Sequence, residues 1–190
     1  EIIRLDGWSG GYINFKKPPS PNIPDLETAI VYNGMCLLEG TNVSEGRGTS
    51  TPFKVIGAPW LDSKEVIRLI NSHNLSGVTL SSTLFTPKSI PGKSVYPKYM
   101  DAPCNGISIS IVDRDSFYPL KLGVALLQSI YQVHPDEFKV AKNGFLNKLY
   151  GSDELINSIF SGASIEDLVL TWEKESAEFR EMIKPFRLYP

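Results

Sequence analysis

The sequence predicts an α+β domain in which a small mixed β-sheet packs against several helices and the C-terminal part is helical. The clearest strand covers residues 106–112, where three isoleucines alternate with two serines and so give one face to the core. Residues 78–86 are rich in β-branched side chains, which is typical of a second strand. Helical spacing of apolar residues then recurs at 120–133, 145–150, 152–160 and 164–183.

The N-terminal part is predicted to alternate short elements with loops. A strand over 1–7 and a loop over 7–17 precede the proline-rich run 18–24, which suits either a linker or a stiff wall beside a site. Asp25 is expected to cap a helix over 26–32 that Asn33-Gly34 ends. The apolar run 35–39 is then expected to be a short buried strand.

The second half of the chain contains a long irregular segment and two helix ends that can be identified from the sequence. Residues 87–103 form a long irregular segment, and segments of this length are often functional or mobile. His134 stands at the end of the helix 120–133 and is interpreted as its C-terminal cap rather than as a catalyst. Ser164 and Asp167 are expected to cap the last helix, with Trp172 and Phe179 in the core.

Composition limits the classes of function. The chain has 190 residues, of which 42% are hydrophobic and 21% charged, so it is long enough and apolar enough for one domain with a buried core. Its net charge of -2 argues against nucleic acid as the main partner. No apolar run approaches the roughly 20 residues needed to cross a bilayer.

The chain has few residues of the types that commonly bind metals. Cys36 and Cys104 are expected to be buried free thiols, although a disulfide between them is possible. The two histidines lie in no zinc-binding pattern, and we expect neither a metal nor a cofactor.

The stretch 39–49 is the candidate functional site. It reads Glu-Gly-Thr-Asn-Val-Ser-Glu-Gly-Arg-Gly-Thr and contains no phosphate-loop pattern, which favours a neutral polar ligand such as a sugar over a nucleotide. The alternative interpretation is a solvated turn with an ordinary surface ion pair. The candidate catalytic residues are Glu39 and Glu45. The candidate substrate-binding residues are Thr41, Asn42, Ser44, Arg47 and Thr49.

The same stretch belongs to a longer set of motifs. Residues 18–24, 26–29, 36–49, 52–53 and 56–60 together resemble the exo-β-N-acetylmuramidase (NamZ-like) family, in its C-terminal domain. Shorter matches follow at 85–87, 104–106, 113–114 and 188–190. The resemblance covers nearly all of the chain.

This resemblance implies an enzyme that removes N-acetylmuramic acid from the non-reducing ends of peptidoglycan fragments. It implies an extracytoplasmic or secreted location. Members of the family have two parts, with a Rossmann-like N-terminal domain before the second domain and the active cleft between them. The chain matches only the second part, so the Rossmann-like domain, with a catalytic glutamate of its own, is expected as a missing partner.

Glycoside hydrolysis usually needs two carboxyl groups that flank the scissile bond. Glu39 is expected at a strand end, where burial would raise its pKa in the direction that a general acid needs. Glu45 lies beside Arg47, which favours the charge of a nucleophile, a base or an electrostatic stabiliser. We expect one of the two glutamates to face a carboxylate of the missing domain. Arg47 is expected either to pair with the lactyl carboxylate of muramic acid or to brace a glutamate.

Two other classes of function remain open from the sequence. One is a non-catalytic carbohydrate-binding domain that recognises muramoyl ends. The other is a structural or interaction domain, with the proline-rich run 18–24 and the segment 87–103 as its contact surfaces. The density of polar groups in 39–49 argues against the second.

Overall fold

A computed structural model describes residues 2–4, 6–8 and 15–189, and it confirms the α+β class. The described residues contain six α-helices, which are α1 (Leu26–Met35), α2 (Ser63–Ile70), α3 (Pro119–Val133), α4 (Phe145–Tyr150), α5 (Glu154–Ser161) and α6 (Ile165–Ile183). The strands are β1 (Val55–Ala58), β2 (Val78–Phe85) and β3 (Cys104–Ile111). Short 3₁₀ helices cover Cys36–Gly40, Asn71–His73 and Lys184–Phe186.

The three strands form one sheet in the order β1-β3-β2. Both pairings are antiparallel, with Val55 opposite Ser108 and Val78 opposite Ile111. The described sheet is therefore antiparallel where a mixed sheet was predicted. The prediction of β3 as a strand is confirmed, and its alternation places the side chains of Ile107 and Ile109 in the core.

Helix α3 lies at the centre of the core. Its buried residues run along most of its length, and it contacts α1, α2, α5 and α6. The prediction that His134 caps its C-terminus is confirmed, because the backbone N–H of His134 donates to the carbonyl of Ile130. No helix in the described part of the chain is both long enough and apolar enough to cross a membrane.

The strand predicted over 35–39 is wrong. Helix α1 continues through Gly34 to Met35, and the 3₁₀ helix Cys36–Gly40 follows it directly. Gly34 does not end the helix because it serves close packing between helices: a Cβ atom there would lie 1.9 Å from the carbonyl oxygen of Pro119 in α3. A four-residue apolar run fits a buried helix as well as a strand, and here packing against α3 decides.

Two further predictions need correction. Residues 2–4 and 6–7 are not a strand, while residues 1 and 5 of the predicted strand, and residues 9–14 of the predicted loop, lie outside the described residues. In α6, Trp172 is buried as predicted, but the side chain of Phe179 is exposed. The predicted cap of this helix is confirmed, since Ser164 Oγ accepts a hydrogen bond from the Asp167 N–H.

Candidate functional site

The loop that follows the 3₁₀ helix Cys36–Gly40 is fastened to the sheet by its backbone. The N–H of Ser44 donates to the carbonyl of Gly57 at 2.8 Å, and the N–H of Gly57 donates back at 2.9 Å. Gly46 has a φ of 76°, and a Cβ atom there would lie 2.3 Å from the carbonyl oxygen of Val55. Glycine is needed at this position because it tolerates both the positive φ and the close backbone contact.

Four charged side chains meet at this loop, and we call Glu39, Glu45, Arg47 and Lys98 the charged cluster. Arg47 Nη2 lies 2.9 Å from Glu39 Oε2, and Arg47 Nε lies 3.8 Å from Glu45 Oε1. Lys98 Nζ lies 3.0 Å from Glu45 Oε2. The structure therefore brings both predicted catalytic glutamates to one guanidinium, and it adds a second cation.

The four side chains differ in access to solvent. The side chain of Glu45 is 5% exposed and that of Glu39 13%, whereas that of Arg47 is 33% exposed. The Arg47 guanidinium also lies over the ring of Phe53, 5.3 Å from its centroid, which is within the range of a cation–π contact. The two cations, Arg47 at 33% and Lys98 at 29%, are thus the more exposed members of the cluster, and Glu39 is the more exposed of the two carboxylates.

Lys98 was missed by sequence reasoning. It comes from the segment 87–103 and donates to the carbonyl oxygens of Leu38 and Val43, both at 2.9 Å. Its contact with Glu45 Oε2 is an ion pair rather than an aligned hydrogen bond. Spacing in the sequence gives no sign of this contact, and the one available signal was the unusual length of the segment 87–103.

Burial raises the pKa of the Glu39 carboxyl, and the nearby charge of Glu45 acts in the same direction. Arg47 and Lys98 lower the pKa of Glu39, but their combined effect is smaller than the rise. The predicted direction is therefore found, although Glu39 lies in a 3₁₀ helix and not at the end of a strand. A carboxyl group with a raised pKa keeps its proton to a higher pH, as a general acid must.

Three of the predicted substrate-binding hydroxyls bond to the backbone of their own loop. These bonds are Thr41 Oγ1 to the Leu38 carbonyl at 2.9 Å, Thr49 Oγ1 to the Gly46 carbonyl at 2.7 Å, and the Gly46 N–H to Ser44 Oγ at 3.3 Å. Thr41 and Ser44 are also buried. These side chains stabilise the shape of the loop that carries the two glutamates.

The amide of Asn42 joins the loop to a distant segment. Its Nδ2 donates to the carbonyl of Glu137 at 2.8 Å, and its Oδ1 accepts from the N–H of Lys139 at 2.8 Å. The hydroxyl of Tyr99 donates to the carbonyl of Asn42 at 2.7 Å and accepts from Trp60 Nε1 at 3.1 Å. Asn42 is therefore a junction between three parts of the chain.

Comparison with known proteins places this geometry in a family. The family model described as exo-β-N-acetylmuramidase NamZ, C-terminal, matches residues 30–189. The chain belongs to the NamZ family. It is 36% identical over 171 residues to the peptidoglycan β-N-acetylmuramidase NamZ of Bacillus subtilis (strain 168), which covers 90% of this chain and 40% of that protein.

Solved structures agree with the fold of this NamZ-family chain. One DUF1343 family protein from Bacteroides fragilis NCTC 9343 superposes with a TM-score of 0.77 at 22% identity, over 91% of this chain and 45% of that one. A second from the same organism gives a TM-score of 0.72 at 27% identity, over 97% and 47%. The chain thus spans less than half the length of these relatives.

The remaining candidate groups of the NamZ-family chain lie outside the charged cluster. Cys36 and Cys104 are free thiols as predicted, but only Cys104 is buried, and Cys36 at the end of α1 is half-buried. Burial raises the pKa of Cys104 to about 11. A cavity of about 390 Å³, lined by residues of α3, α5 and α6, contains none of the predicted site residues. Within the described ranges, no three His, Cys, Asp or Glu side chains are grouped as metal ligands would be.

Proposed function

We propose that this chain is part of a glycoside hydrolase that removes β-N-acetylmuramic acid from the non-reducing ends of peptidoglycan fragments. The observation that carries the proposal is the pairing of a largely buried carboxyl group of raised pKa, Glu39, with a guanidinium that is one third exposed, Arg47. Membership of the NamZ family, and the name of the Bacillus subtilis relative, support the choice of substrate.

Glu39 is assigned the role of general acid. A glycosidic oxygen is a poor leaving group until it receives a proton, and the acid that supplies this proton must still hold it near neutral pH. Burial favours the protonated form of Glu39. Its position beside a partly exposed arginine leaves it closer to solvent than Glu45.

Glu45 is assigned the role of electrostatic stabiliser. The sequence left the roles of nucleophile, base and stabiliser open, and two observations favour the last. The side chain of Glu45 is almost fully buried, and its two oxygens lie near Arg47 and Lys98. A carboxylate in such a setting holds cations in place but has little access to an anomeric carbon.

Arg47 is assigned two roles, which are to recognise the substrate and to influence the pKa of the acid Glu39. Muramic acid differs from glucosamine by a lactyl group, and the carboxylate of that group is a natural partner for a guanidinium. A substrate carboxylate that binds Arg47 in place shares its positive charge, which weakens the lowering effect of Arg47 on the pKa of Glu39. Binding of the correct sugar would thereby favour the protonated acid.

A Rossmann-like N-terminal domain would supply a second carboxylate across a cleft, and the complete protein would act outside the cytoplasm on peptidoglycan-derived sugars. Substrate binding by Thr41, Asn42, Ser44 and Thr49 stays a prediction. The hydrogen bonds of these side chains to backbone groups support a role in shaping the loop.

Hydrolysis of a chromogenic β-N-acetylmuramide by the full-length protein and by the 190-residue chain tests the proposal. We expect turnover by the full-length protein and a loss of about 10²- to 10⁴-fold in Glu39→Gln, the range typical of a general acid. Glu45→Gln should also lose activity, and Glu65→Gln is the control because Glu65 pairs with Arg68 on the exposed face of α2. Near-normal turnover in both Glu39→Gln and Glu45→Gln would make the catalytic assignment wrong.

A non-catalytic carbohydrate-binding domain is the second candidate. It is favoured by one fact, which is that the chain spans 40% of the length of its Bacillus subtilis relative. It predicts binding of muramoyl sugars without turnover, in the isolated chain and in the full-length protein alike. Turnover by the full-length protein that requires Glu39 would exclude it.

A further inference from the structure

We infer that Lys98 is a positioning residue of the reaction, which keeps Arg47 on Glu39 by neutralising Glu45. The inference rests on the proposed function, because it assigns Glu39 the role of the acid. Lys98 itself touches neither a reacting atom nor, in the described contacts, the carboxyl group of Glu39. Lys98 lowers the pKa of Glu39 directly through its charge, whereas its effect on the position of Arg47 passes through Glu45.

The geometry of the charged cluster divides two carboxylates between two cations. Glu45 has its short contact with Lys98, at 3.0 Å, and only a long one with Arg47, at 3.8 Å. Arg47 is therefore left to make its short contact with Glu39, at 2.9 Å. The cluster carries two negative and two positive formal charges, and each carboxylate has one close cation.

Lys98 is held in this place by more than its charge. Two carbonyl oxygens, of Leu38 and Val43, accept hydrogen bonds from its ammonium group. Its segment also packs directly on the site loop, since a Cβ atom on Gly48 would lie 2.5 Å from the carbonyl oxygen of Lys88 and 2.7 Å from the ring of Pro97. The ammonium is thus fixed with respect to both ends of the stretch 38–43.

Removal of Lys98 would leave a buried carboxylate without its close cation. A buried unpaired charge is strongly unfavourable, and the nearest group able to neutralise Glu45 is Arg47. Movement of Arg47 toward Glu45 would take it away from Glu39. The other titratable groups that interact with Glu39 are Tyr32 and Cys36, and neither supplies a positive charge.

The test compares three variants of the full-length protein. Lys98→Met removes the charge but keeps a long apolar chain, and Lys98→Arg keeps the charge. Lys88→Met is the matched control, because Lys88 belongs to the same segment and pairs with the exposed carboxylate of Asp101. For each variant, kcat and KM on the chromogenic muramide are measured against pH, and the carboxyl of Glu39 is titrated by ¹³C NMR with Glu39→Gln as the assignment standard.

In Lys98→Met we expect kcat/KM to fall by about tenfold to a hundredfold, mainly through kcat, as for other misplaced catalytic groups. The limb of the pH profile that reports Glu39 and the NMR titration of Glu39 should both move to higher pH, because Glu39 loses cations that lower its pKa. Lys98→Arg should keep that limb at its wild-type position even if its rate is lower. Lys88→Met should match the wild type.

The NMR titration separates this inference from the proposed function. If the wild type hydrolyses no muramide but Lys98→Met shifts the titration of Glu39 by more than the same substitution does in an Arg47→Met background, the proposed function fails and the positioning by Lys98 stands. The Arg47→Met background isolates the direct effect of the Lys98 charge on Glu39. If the wild type is active and Lys98→Met leaves the titration and the pH profile unchanged, the inference is overturned and the function stands. Should Lys98→Met not fold, a shift of the limb in Lys98→Arg overturns the inference, and an unchanged limb supports it.

Discussion

Arg47 Nη2 lies 2.9 Å from Glu39 Oε2, and the same guanidinium lies over the ring of Phe53 at 5.3 Å from its centroid. An aromatic contact and an ion pair therefore both hold this guanidinium. The Arg47 side chain is one third exposed, so part of it is open to a ligand. The pair therefore combines a buried acid with an accessible anion-binding group.

This arrangement predicts that Arg47 selects for muramic acid. In Arg47→Met, kcat/KM on the β-N-acetylmuramide should fall by about 10- to 100-fold, since hydrogen bonds to charged groups contribute about 1.5–3 kcal/mol. The ratio of kcat/KM on this substrate to that on a β-N-acetylglucosaminide, which lacks the lactyl group, should fall with it. Arg68→Met is the control, because Arg68 pairs with Glu65 on the surface. An unchanged ratio would mean that Arg47 only braces Glu39.

The raised pKa of Glu39 predicts a specific dependence of stability on pH. The folded chain holds this proton more tightly than the unfolded chain, so the contribution of Glu39 to stability is full below the ordinary pKa of about 4.3 and is lost as pH rises through the raised value. Gln cannot ionise. The free energy of unfolding of Glu39→Gln should therefore improve relative to the wild type as pH rises through this window, in urea unfolding of the 190-residue chain.

A control of opposite sign is available for this measurement. Hydrogen bonds from Arg68 lower the pKa of Glu65, so Glu65→Gln should lose stability relative to the wild type as pH rises through the range below the ordinary value. If Glu39→Gln follows the same direction as Glu65→Gln, the pKa of Glu39 is not raised in the folded chain.

The hydrogen bonds of Asn42 predict that its replacement lowers the stability of the fold. Asn42→Ala leaves the carbonyl of Glu137 and the N–H of Lys139 without their side-chain partner, and such a loss costs about 1–3 kcal/mol. Asn22→Ala is the matched control, because Asn22 Nδ2 makes one exposed hydrogen bond to the carbonyl of Lys93. Thermal unfolding of both variants gives the comparison. A raised KM in Asn42→Ala with an unchanged Tm would instead support direct binding of the sugar.

Helices and strands whose apolar residues recur at a regular spacing over their whole length were predictable from the sequence. The alternation in β3 and the apolar faces of α3 required no knowledge of distant residues, and the structure has both elements within two residues of their predicted bounds. The prediction of a strand over 35–39 failed because a short apolar segment shows no regular spacing of apolar and polar residues. The packing of Gly34 against α3 decides its conformation instead.

Only those site residues that lie close together in the sequence were predictable. Glu39, Glu45 and Arg47 lie within nine residues and stood out by composition, whereas Lys98 reaches them from a segment far along the chain. Ion pairs between distant segments leave no periodic trace in one sequence. Phe179 illustrates the reverse case: helical spacing identified an apolar residue, and its side chain is nevertheless exposed.

The contact between α1 and α3 gives the last prediction. In the interior of a helix, Gly→Ala normally stabilises by about 1 kcal/mol because it lowers the entropy of the unfolded chain. Here the sign should reverse, since a Cβ atom on Gly34 would overlap the carbonyl oxygen of Pro119, and one on Gly123 would lie 2.5 Å from the carbonyl oxygen of Gly34. Both clashes involve backbone atoms, which cannot move aside as a flexible side chain does.

We expect Gly34→Ala to lower the free energy of unfolding by about 1–3 kcal/mol or more, the range for overpacked cores, and Gly123→Ala to act similarly. Their effects should not add, because both open the same helix contact. Asn33→Ala, on the exposed face of the same helix, should change the stability little. A stabilising effect of Gly34→Ala in urea unfolding would show that α1 and α3 lie farther apart than described, and that Gly34 is not what lets α1 run on to Met35 and place Glu39.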